Sequence, residues 1–391
     1  MHHTIGFVNQ APIQSMSGTS RILRALLSKI PGDTDTVTAM LSHQNHHVKP
    51  DPTYHEQYLP TRPHLGRIES TRFGKYCDLI EPLYLGKMMA DMESLFRKHH
   101  VTGVHAVPHG MHFAYAHELA KRLQVPFYLN VHDELSYNLA GNPRLPEMER
   151  ELEKAWRGAA GRIVISEAMG KEYCRRFGEQ PYVTVTDGLS ESPTRKRPLV
   201  KDRLYVYFMG TQHLSYVPNF VALLQALEKI KAETDLDVKL ISRGWLQPEL
   251  AKHPLVEMRE PRPEKEIESD FDEVDVLYLP LPTQKEYESF YKFSLSTKLV
   301  TYLGIGLPML YHGPADAAAA TTLGSAALHC HNLDATELAA TILTGLNPEK
   351  RDAVIDDAFA LARRQFLLDD NARTFWNMLT GNAVPELQKH A

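Results

Sequence analysis

The sequence predicts an α/β protein with two doubly wound, Rossmann-like domains, and three observations support that fold class. Short apolar runs alternate with longer stretches of helical periodicity, which is typical of a parallel sheet flanked by helices. One segment without apolar periodicity, Ser190–Asp202, combines proline, serine and charged residues and is the best linker candidate. After this segment the alternation starts again. We therefore predict an N-terminal domain at 1–192 and a C-terminal domain at 200–367, with a C-terminal helix at about 368–391 that packs back on the first.

The N-terminal half begins directly with a strand and continues as alternating elements. The predicted strands are Ile5–Asn9, Thr36–Leu41, Val104–Val107, Pro126–Val131, Arg162–Ile165 and Val183–Thr186. The predicted helices are Ile22–Ile30, Pro82–His100, Ala114–Leu123, Leu145–Arg157 and Glu167–Phe177. Between them, Ser42–Gly74 is rich in His, Pro, Tyr and Arg and has weak periodicity. We interpret it as a long loop or insertion, and loops of this length are often functional.

The C-terminal half repeats the alternation after the linker. Its predicted strands are Leu204–Met209, Asp237–Ser242, one near Val256, Val274–Leu279 and Leu307–Tyr311. Its predicted helices are Asn219–Ala232, one near Gln247, Pro263–Phe271, Ser296–Leu303, Leu338–Leu343 and Asp352–Phe366, followed by the final helix Asn371–Leu379. That last helix carries Phe375 and Trp376, which need a surface against which to be buried.

Composition narrows the classes of function. The chain has 391 residues, 43% of them apolar, and a net charge of −5 without an extended run of lysine or arginine. These values indicate a globular protein and argue against nucleic acid as its main partner. The three cysteines are far apart and form no C-x-x-C pair, which indicates reduced thiols rather than disulfides or a zinc site.

The histidines and the N-terminus bear on cofactors and location. None of the 20 histidines has the spacing of a closed metal site, and no dinucleotide fingerprint is present, so we expect neither a metal nor a cofactor. No apolar run approaches the ~20 residues that span a bilayer. The N-terminus lacks the pattern of a signal peptide, so we expect a cytoplasmic protein. Peripheral contact with the inner face of a membrane stays open, although no strongly basic amphipathic helix favours it.

Ligands of open α/β sheets bind beyond the carboxyl ends of the strands, so the loops there are the candidate sites. After the first strand, Gly18 stands at the start of a helix, where the backbone could approach an anion; an ordinary helix cap explains the same residues. After a later strand, His132 and Asp133 could bind sugar hydroxyls or relay a proton, or could simply close a turn.

The second half offers a denser set of polar groups at its strand ends. Gly210 and Thr211 follow one strand, and Arg243 follows the next with a forked donor that suits phosphate; a salt bridge is the alternative. Further on, Ser296 and Thr297 cap a predicted helix and Lys298 adds a positive charge. This combination suits a diphosphate, although a capped helix with a solvated lysine would look alike.

The residues of this last region carry a resemblance. The stretch FDEVDVLYLPLP…SLSTKLVTYLGIGLP resembles the donor-site block of GT-B glycosyltransferases of the retaining, glycogen-synthase-like group, which includes the family 4-like enzymes. Shorter segments fit in order along nearly the whole chain. They are Gly18, His132–Asp133, Val164–Glu167, Val185–Gly188 and Tyr207–Gly210.

The resemblance implies a GT-B fold, with two Rossmann-like domains facing a central cleft, and transfer of a hexosyl group from a UDP- or GDP-sugar to a hydroxyl with retention of configuration. It implies that Lys298 and Arg243 neutralise the diphosphate without a metal, and that His132 contacts the transferred sugar. It also implies a donor site that includes the residues Gly18, Gly210, Thr211, Ser296, Thr297 and Thr301.

The acceptor is expected to be a glycan, a lipid-linked sugar or a small molecule bound by the first half. Asp133 and the long loop, with Tyr54 and Arg62, are its candidate contacts; the loop could equally pack on itself. The chain departs from the family at two glutamates, since Phe293 and Thr301 occupy their positions. Glu286 and Glu288 could substitute for them. Because the second glutamate holds the ribose in the family, a non-catalytic partner subunit is the main alternative, and a sugar-nucleotide epimerase is another.

Overall fold

The computed structural model describes residues 2–15, 18–42, 50–262 and 266–382. The chain divides into two compact units. Unit 1 comprises Met1–Asp187 and Leu368–Ala391, and unit 2 comprises Gly188–Leu367. The segment predicted as a linker, Ser190–Asp202, belongs to unit 2, where Arg197 donates hydrogen bonds to the carbonyl of Ile305 and to the carboxylate of Asp272.

Unit 1 is built on a parallel sheet of seven strands in the order β3-β2-β1-β4-β5-β6-β7. The strands are β1 His3–Asn9, β2 Thr34–Leu41, β3 Glu56–Leu59, β4 Gly103–Ala106, β5 Phe127–Val131, β6 Gly161–Val164 and β7 Val183–Thr184. The central strands are buried at almost every position because helices cover both faces of the sheet.

The helices of unit 1 present apolar faces to this sheet. They are α1 Gly18–Leu27, α2 Leu85–Lys98, α3 His112–Leu123, α4 Leu135–Asn138, α5 Leu145–Gly158 and α6 Glu167–Phe177. In α1, for example, Ile22, Leu23, Leu26 and Leu27 are buried at helical spacing.

Unit 2 repeats the architecture with six parallel strands in the order β10-β9-β8-β11-β12-β13. The strands are β8 Arg203–Thr211, β9 Asp237–Trp245, β10 Val256–Arg259, β11 Val276–Pro280, β12 Met309–His312 and β13 Leu328–Cys330. The helices are α7 Val217–Glu233, α8 Pro248–Ala251, α9 Glu288–Phe293, α10 Thr297–Leu303, α11 Ala318–Leu323, α12 Ala335–Thr344 and α13 Pro348–Gln365. Apolar cores lie on both faces of this sheet, as in a doubly wound fold.

The last helix, α14 Leu368–Thr380, belongs to unit 1 although it follows unit 2 in the chain. Phe375 stacks on Phe7 of β1 with ring centroids 6.5 Å apart. The indole of Trp376 donates a 3.0 Å hydrogen bond to the carbonyl of Leu26. The helix therefore completes the core of unit 1; the remainder of the predicted terminal helix, 383–391, lies outside the described residues.

Two sequence predictions need correction. The stretch Ser42–Gly74 is not a loop throughout its described part: it contains the edge strand β3 and 3-10 helices at Pro52–Tyr54 and Gly66–Ser70, and a third 3-10 helix, Gly74–Leu83, begins at its last residue; residues 43–49 lie outside the described part. The prediction of a helix at Pro263–Phe271 is wrong for the residues that the structure describes, because the chain forms a 3-10 helix at Glu268–Asp272 instead. The first residues of the predicted helix, 263–265, lie outside the described part. The buried ion pair of Asp270 described below holds this turn in place.

Within the described ranges, no helix combines the length and apolar character needed to cross a bilayer. In the same ranges, no group of three or more His, Cys, Asp or Glu side chains is arranged to hold a metal ion. The thiols of Cys77, Cys174 and Cys330 are free and buried.

Candidate functional site

The strand order of unit 2 reverses between β8 and β11, and ligands of doubly wound sheets bind at such a point. Two glycines shape the carboxyl ends of the strands there. Gly210, the last residue but one of β8, has a φ of 96°, and Gly244, the last residue but one of β9, has a φ of 137°. A Cβ on Gly244 would lie 2.3 Å from the carbonyl oxygen of Gly210. At this carboxyl edge of the sheet, both glycines supply the positive φ that the backbone needs, and Gly244 also allows the two strands to approach closely.

Lys298 lies against this edge. Its Cε is 3.0 Å from the position that a Cβ on Gly210 would take, and its Nζ is 5.2 Å from the centre of the Phe208 ring. The hydroxyl of Ser296 caps α10 by accepting a 3.3 Å hydrogen bond from the backbone N–H of Lys298. The structure thus brings together Gly210, Ser296 and Lys298, three residues predicted for one site, and holds a half-buried cation beside the switch point.

The other residues predicted for the donor site differ in their exposure. Thr211 is exposed at the end of β8, and Thr297 is half-buried at the first position of α10. Thr301 is 5% exposed inside the same helix, so its hydroxyl belongs to the core of unit 2. Of the two suggested glutamate substitutes, Glu286 is exposed and Glu288 forms an ion pair with Lys292.

Arg243, predicted to bind the diphosphate, has a different environment. Its guanidinium is buried and makes two hydrogen bonds with the carboxylate of Asp270, one of them 2.7 Å long from Nη2. Tyr207 and Arg259 donate to the same carboxylate at 3.0 and 2.9 Å. Burial alone would raise the pKa of Asp270, but the hydrogen bonds from Arg243, Tyr207 and Arg259 hold it below its usual value. Because Asp270 already compensates the charge of Arg243, the pair has a structural role, and the contact of Arg243 with a diphosphate stays a prediction.

In unit 1, His132 follows β5 and is 3% exposed. Neither of its ring nitrogens has a hydrogen-bond partner among the described residues, which is unusual for a buried polar group. Burial, together with the charge of His109, lowers the pKa of His132 to about 3. The ring is therefore neutral near pH 7, with one donor nitrogen and one acceptor nitrogen.

His109 is a neighbour of this site that the sequence analysis missed. It follows β4, and its ring centroid lies 6.3 Å from that of His132. Its Nε2 is 3.6 Å from a carboxylate oxygen of Asp133, and its Nδ1 is 3.4 Å from the hydroxyl of Thr19 in α1. His109 lies three residues after the end of β4, in a loop at the carboxyl end of a parallel strand, and that position is the signal that could have identified it.

Gly18 is exposed at the first position of α1, and no atom lies within 4 Å of a Cβ built on it. In the same turn, the guanidinium of Arg21 forms a 2.9 Å ion pair with Asp187, whose side chain is 4% exposed. This pair ties α1 to the segment after β7. Thr19, His109, His132 and Asp133 are thus grouped at the carboxyl edge of the unit 1 sheet.

A cavity of about 260 Å³ opens at the same edge, beyond the ends of β1, β2 and β3. Its polar lining comes from Gln10, Ser42, Thr61, Glu81, His112, Tyr115 and Asn142, and its apolar lining from Leu41, Met111, Leu139 and Met148. Mixed polar and apolar walls of this kind suit a small hydroxylated molecule. None of these described lining residues is a lysine or an arginine.

The residues predicted to bind an acceptor do not line this cavity. The guanidinium of Arg62 is buried and forms a 2.5 Å ion pair with Glu69, and Tyr54 is half-buried in the 3-10 helix before β3. The charge of Arg62 is compensated by Glu69, and the neighbouring Thr61 lines the cavity. Asp133 lies with His109 instead.

The buried histidines of unit 1 predict a sensitivity to acid. Burial lowers the pKa of His105, His112 and His132 to about 3, against 6.5 for the free side chain. Below about pH 6.5 the unfolded chain binds protons that the folded unit does not, so stability falls as the pH falls from about 6.5 towards 3. The expected loss is up to about 1.4 kcal/mol per pH unit for each histidine.

Urea unfolding between about pH 7 and 5 measures this loss. His105→Asn should make the dependence shallower, whereas His100→Asn, at an exposed position, should leave it unchanged. A midpoint independent of pH in this range would contradict the prediction.

No model of a known protein family and no curated protein matches the chain, but solved structures match its fold. HepE from Anabaena in complex with UDP and glucose is 15% identical to this chain, with a TM-score of 0.66; the match covers 97% of this chain and 100% of HepE. HepE was also solved in complex with UDP-glucose. An α,α-trehalose 6-phosphate synthase from Burkholderia multivorans is 12% identical, with a TM-score of 0.65; the match covers 97% of this chain and 99% of the synthase. A glycosyltransferase from Rickettsia africae ESF-5 is 12% identical, with a TM-score of 0.63; the match covers 98% of this chain and 100% of the other. Together with the two parallel sheets, these similarities confirm the predicted fold class: the chain has the GT-B fold.

Proposed function

We propose that this protein is a glycosyltransferase that moves a hexosyl group from a nucleoside diphosphate sugar to a hydroxyl acceptor. The observation that carries the proposal is the position of Lys298 beside Gly210, at the switch point of unit 2. A diphosphate leaving group accumulates negative charge as its bond to the sugar breaks, and a fixed ammonium stabilises that charge. The complexes of HepE with UDP and UDP-glucose make UDP the first nucleotide to test.

In this proposal His132 contacts the sugar. A neutral imidazole with no partner among the described residues can accept from one hydroxyl or donate to another without first losing a protein contact. The burial that keeps it neutral also keeps this hydrogen bonding constant across physiological pH. We further propose that transfer retains configuration and needs no metal, since Lys298 supplies the positive charge.

We place the acceptor in the cavity of unit 1. Hydroxyl and amide groups such as those of Ser42, Thr61 and Asn142 can bind the hydroxyls of a neutral sugar or polyol. Glu81 is the carboxylate among the described lining residues, and it forms a 2.8 Å ion pair with Arg144. This lining favours a neutral acceptor over a phosphorylated one.

The first experiment is thermal unfolding of the protein with UDP, GDP, ADP and dTDP and their sugars, with and without EDTA. A ligand that binds only the folded state raises the midpoint by mass action. We expect a shift with one nucleotide that EDTA does not remove. Incubation of that donor with neutral sugars and sugar phosphates, followed by NMR of the anomeric proton, then tests acceptor class and retention.

Thr301 favours a second candidate. Because it stands where related enzymes have a glutamate and is buried, the chain could be a GT-B subunit without catalysis. The absence of any nucleotide shift would favour that candidate and contradict the first. Conversion of a nucleotide sugar into its epimer without an acceptor would instead indicate an epimerase.

A further inference from the structure

A short surface segment of unit 1 concentrates exposed apolar side chains. Of the eleven large apolar residues that are exposed in the described part of the chain, six lie between Ile68 and Tyr84. Leu83 is 82% exposed and Phe73 is 53% exposed. The other four are Ile68, Leu79, Tyr76 and Tyr84. A cluster of this kind on one segment marks an interaction surface, in contrast to single exposed apolar residues, which are common.

The segment that carries these exposed apolar side chains is folded and is held to the rest of unit 1. Its inner side is anchored by Cys77, which is buried, and by two carboxylates that form ion pairs with buried arginines from outside the segment. Glu69 pairs with Arg62 at 2.5 Å, and Glu81 pairs with Arg144 at 2.8 Å. With these contacts on the inner side, the apolar side chains remain on the outer side of the 3-10 helices Gly66–Ser70 and Gly74–Leu83.

The same segment is locally basic on a chain with a net charge of −5. Residues 66–87 carry four cations, Arg67, Arg72, Lys75 and Lys87, and all four are exposed. The segment contains three acidic residues. Two of them, Glu69 and Glu81, are neutralised by their ion pairs with Arg62 and Arg144. The outer side therefore presents an excess of positive charge next to apolar groups.

Two cations lie over aromatic rings of the segment. The guanidinium of Arg72 is 4.9 Å from the ring centre of Phe73, and the ammonium of Lys75 is 5.3 Å from that of Tyr76. An aromatic ring with a cation beside it suits the boundary between lipid tails and head groups, because the ring can enter the apolar layer while the charge meets the phosphates.

We propose that the surface of residues 66–87 docks on an anionic membrane. Insertion of Phe73, Leu79 and Leu83 would remove apolar area from water, and the four cations would be attracted to anionic lipids, each worth about fivefold in affinity. This inference is independent of the proposed function. Because Glu81 also lines the cavity of unit 1, docking would hold that cavity beside the head groups, where an acceptor carried on a lipid could reach it.

Co-sedimentation of the whole protein with lipid vesicles tests the proposal. We expect binding to vesicles with about 30% phosphatidylglycerol, at least tenfold weaker binding to pure phosphatidylcholine, and a decrease at high salt. Phe73→Ser with Leu83→Ser should reduce binding at least tenfold, and Arg72→Gln with Lys75→Gln roughly 10- to 30-fold. The control variant, Val221→Ser with Leu333→Ser, changes two exposed apolar residues of unit 2 and should bind as the wild type does.

The charge variant keeps the test valid if the apolar variant fails to fold, which thermal unfolding will show. Equal recovery of protein with and without anionic vesicles would overturn the proposal. The proposal would also be overturned if the wild type self-associated in light scattering, Phe73→Ser with Leu83→Ser abolished this self-association, and the vesicles bound neither the wild type nor the variants. In that case a second copy of the chain occupies the surface.

Discussion

Replacement of Lys298 with methionine is expected to weaken the binding of a nucleoside diphosphate about 10- to 100-fold. The variant keeps an apolar stem against Phe208 and Gly210 and removes only the ammonium. Charge-assisted hydrogen bonds contribute about 1.5–3 kcal/mol each, which corresponds to this range of affinity. Transfer should fall further, since charge on the leaving group grows as its bond breaks.

Calorimetric titration with the nucleotide found in the thermal screen measures the loss, and Lys298→Arg should restore part of it. The matched control is Lys231→Ala, an exposed lysine in the last turn of α7, which should bind as the wild type does. If Lys298→Met bound the nucleotide normally, the lysine would be a solvated residue of a capped helix and the proposed donor site would be lost.

Asp270→Asn is expected to destabilise unit 2 by about 3 kcal/mol. The carboxylate receives hydrogen bonds from Arg243, Tyr207 and Arg259, and its loss leaves the buried guanidinium of Arg243 without a compensating charge. The lowered pKa of Asp270 gives the pH dependence. Its contribution is present above the pKa of the unfolded chain, about 3.8, and is lost as the pH falls through the lower folded value.

Urea unfolding at neutral pH measures the difference, with Asp235→Asn as a control at an exposed aspartate. The double variant Arg243→Met with Asp270→Leu should recover part of the stability, because it removes the uncompensated guanidinium, whereas Tyr207 and Arg259 still lose their acceptor. A change below about 0.5 kcal/mol in Asp270→Asn would show that Arg243 is not held by this pair and would return it to the candidate ligands of a diphosphate.

The fold class could be predicted because each sheet is covered on both sides, so its central strands are apolar runs that stand out from the helices. The edge strand β3 escaped this rule. Its sequence, EQYL, is largely polar and half-exposed, and its pairing with β2 depends on a neighbour that local periodicity cannot show.

The positions of Lys298 and His132 followed from the rule that ligands meet the carboxyl ends of parallel strands, and His109 obeys the same rule. The environments of Arg243 and Arg62 could not be predicted in this way. Each arginine is buried against a carboxylate, Asp270 and Glu69 respectively, and sequence alone does not show which acid a given arginine will meet. Burial and pairing decide whether an arginine can bind a ligand, and both arise only in the folded chain.

The return of α14 to unit 1 has a consequence for biosynthesis. A ribosome that has completed β7 has delivered every strand of the first sheet, yet Phe375 and Trp376, which pack on Phe7 and Leu26, emerge only after the whole of Gly188–Leu367. At about 5–20 residues per second, this delay is roughly 10 to 40 s. The nascent first half therefore waits with part of its apolar core open, and this exposed surface is one that chaperones can bind during synthesis of the second half.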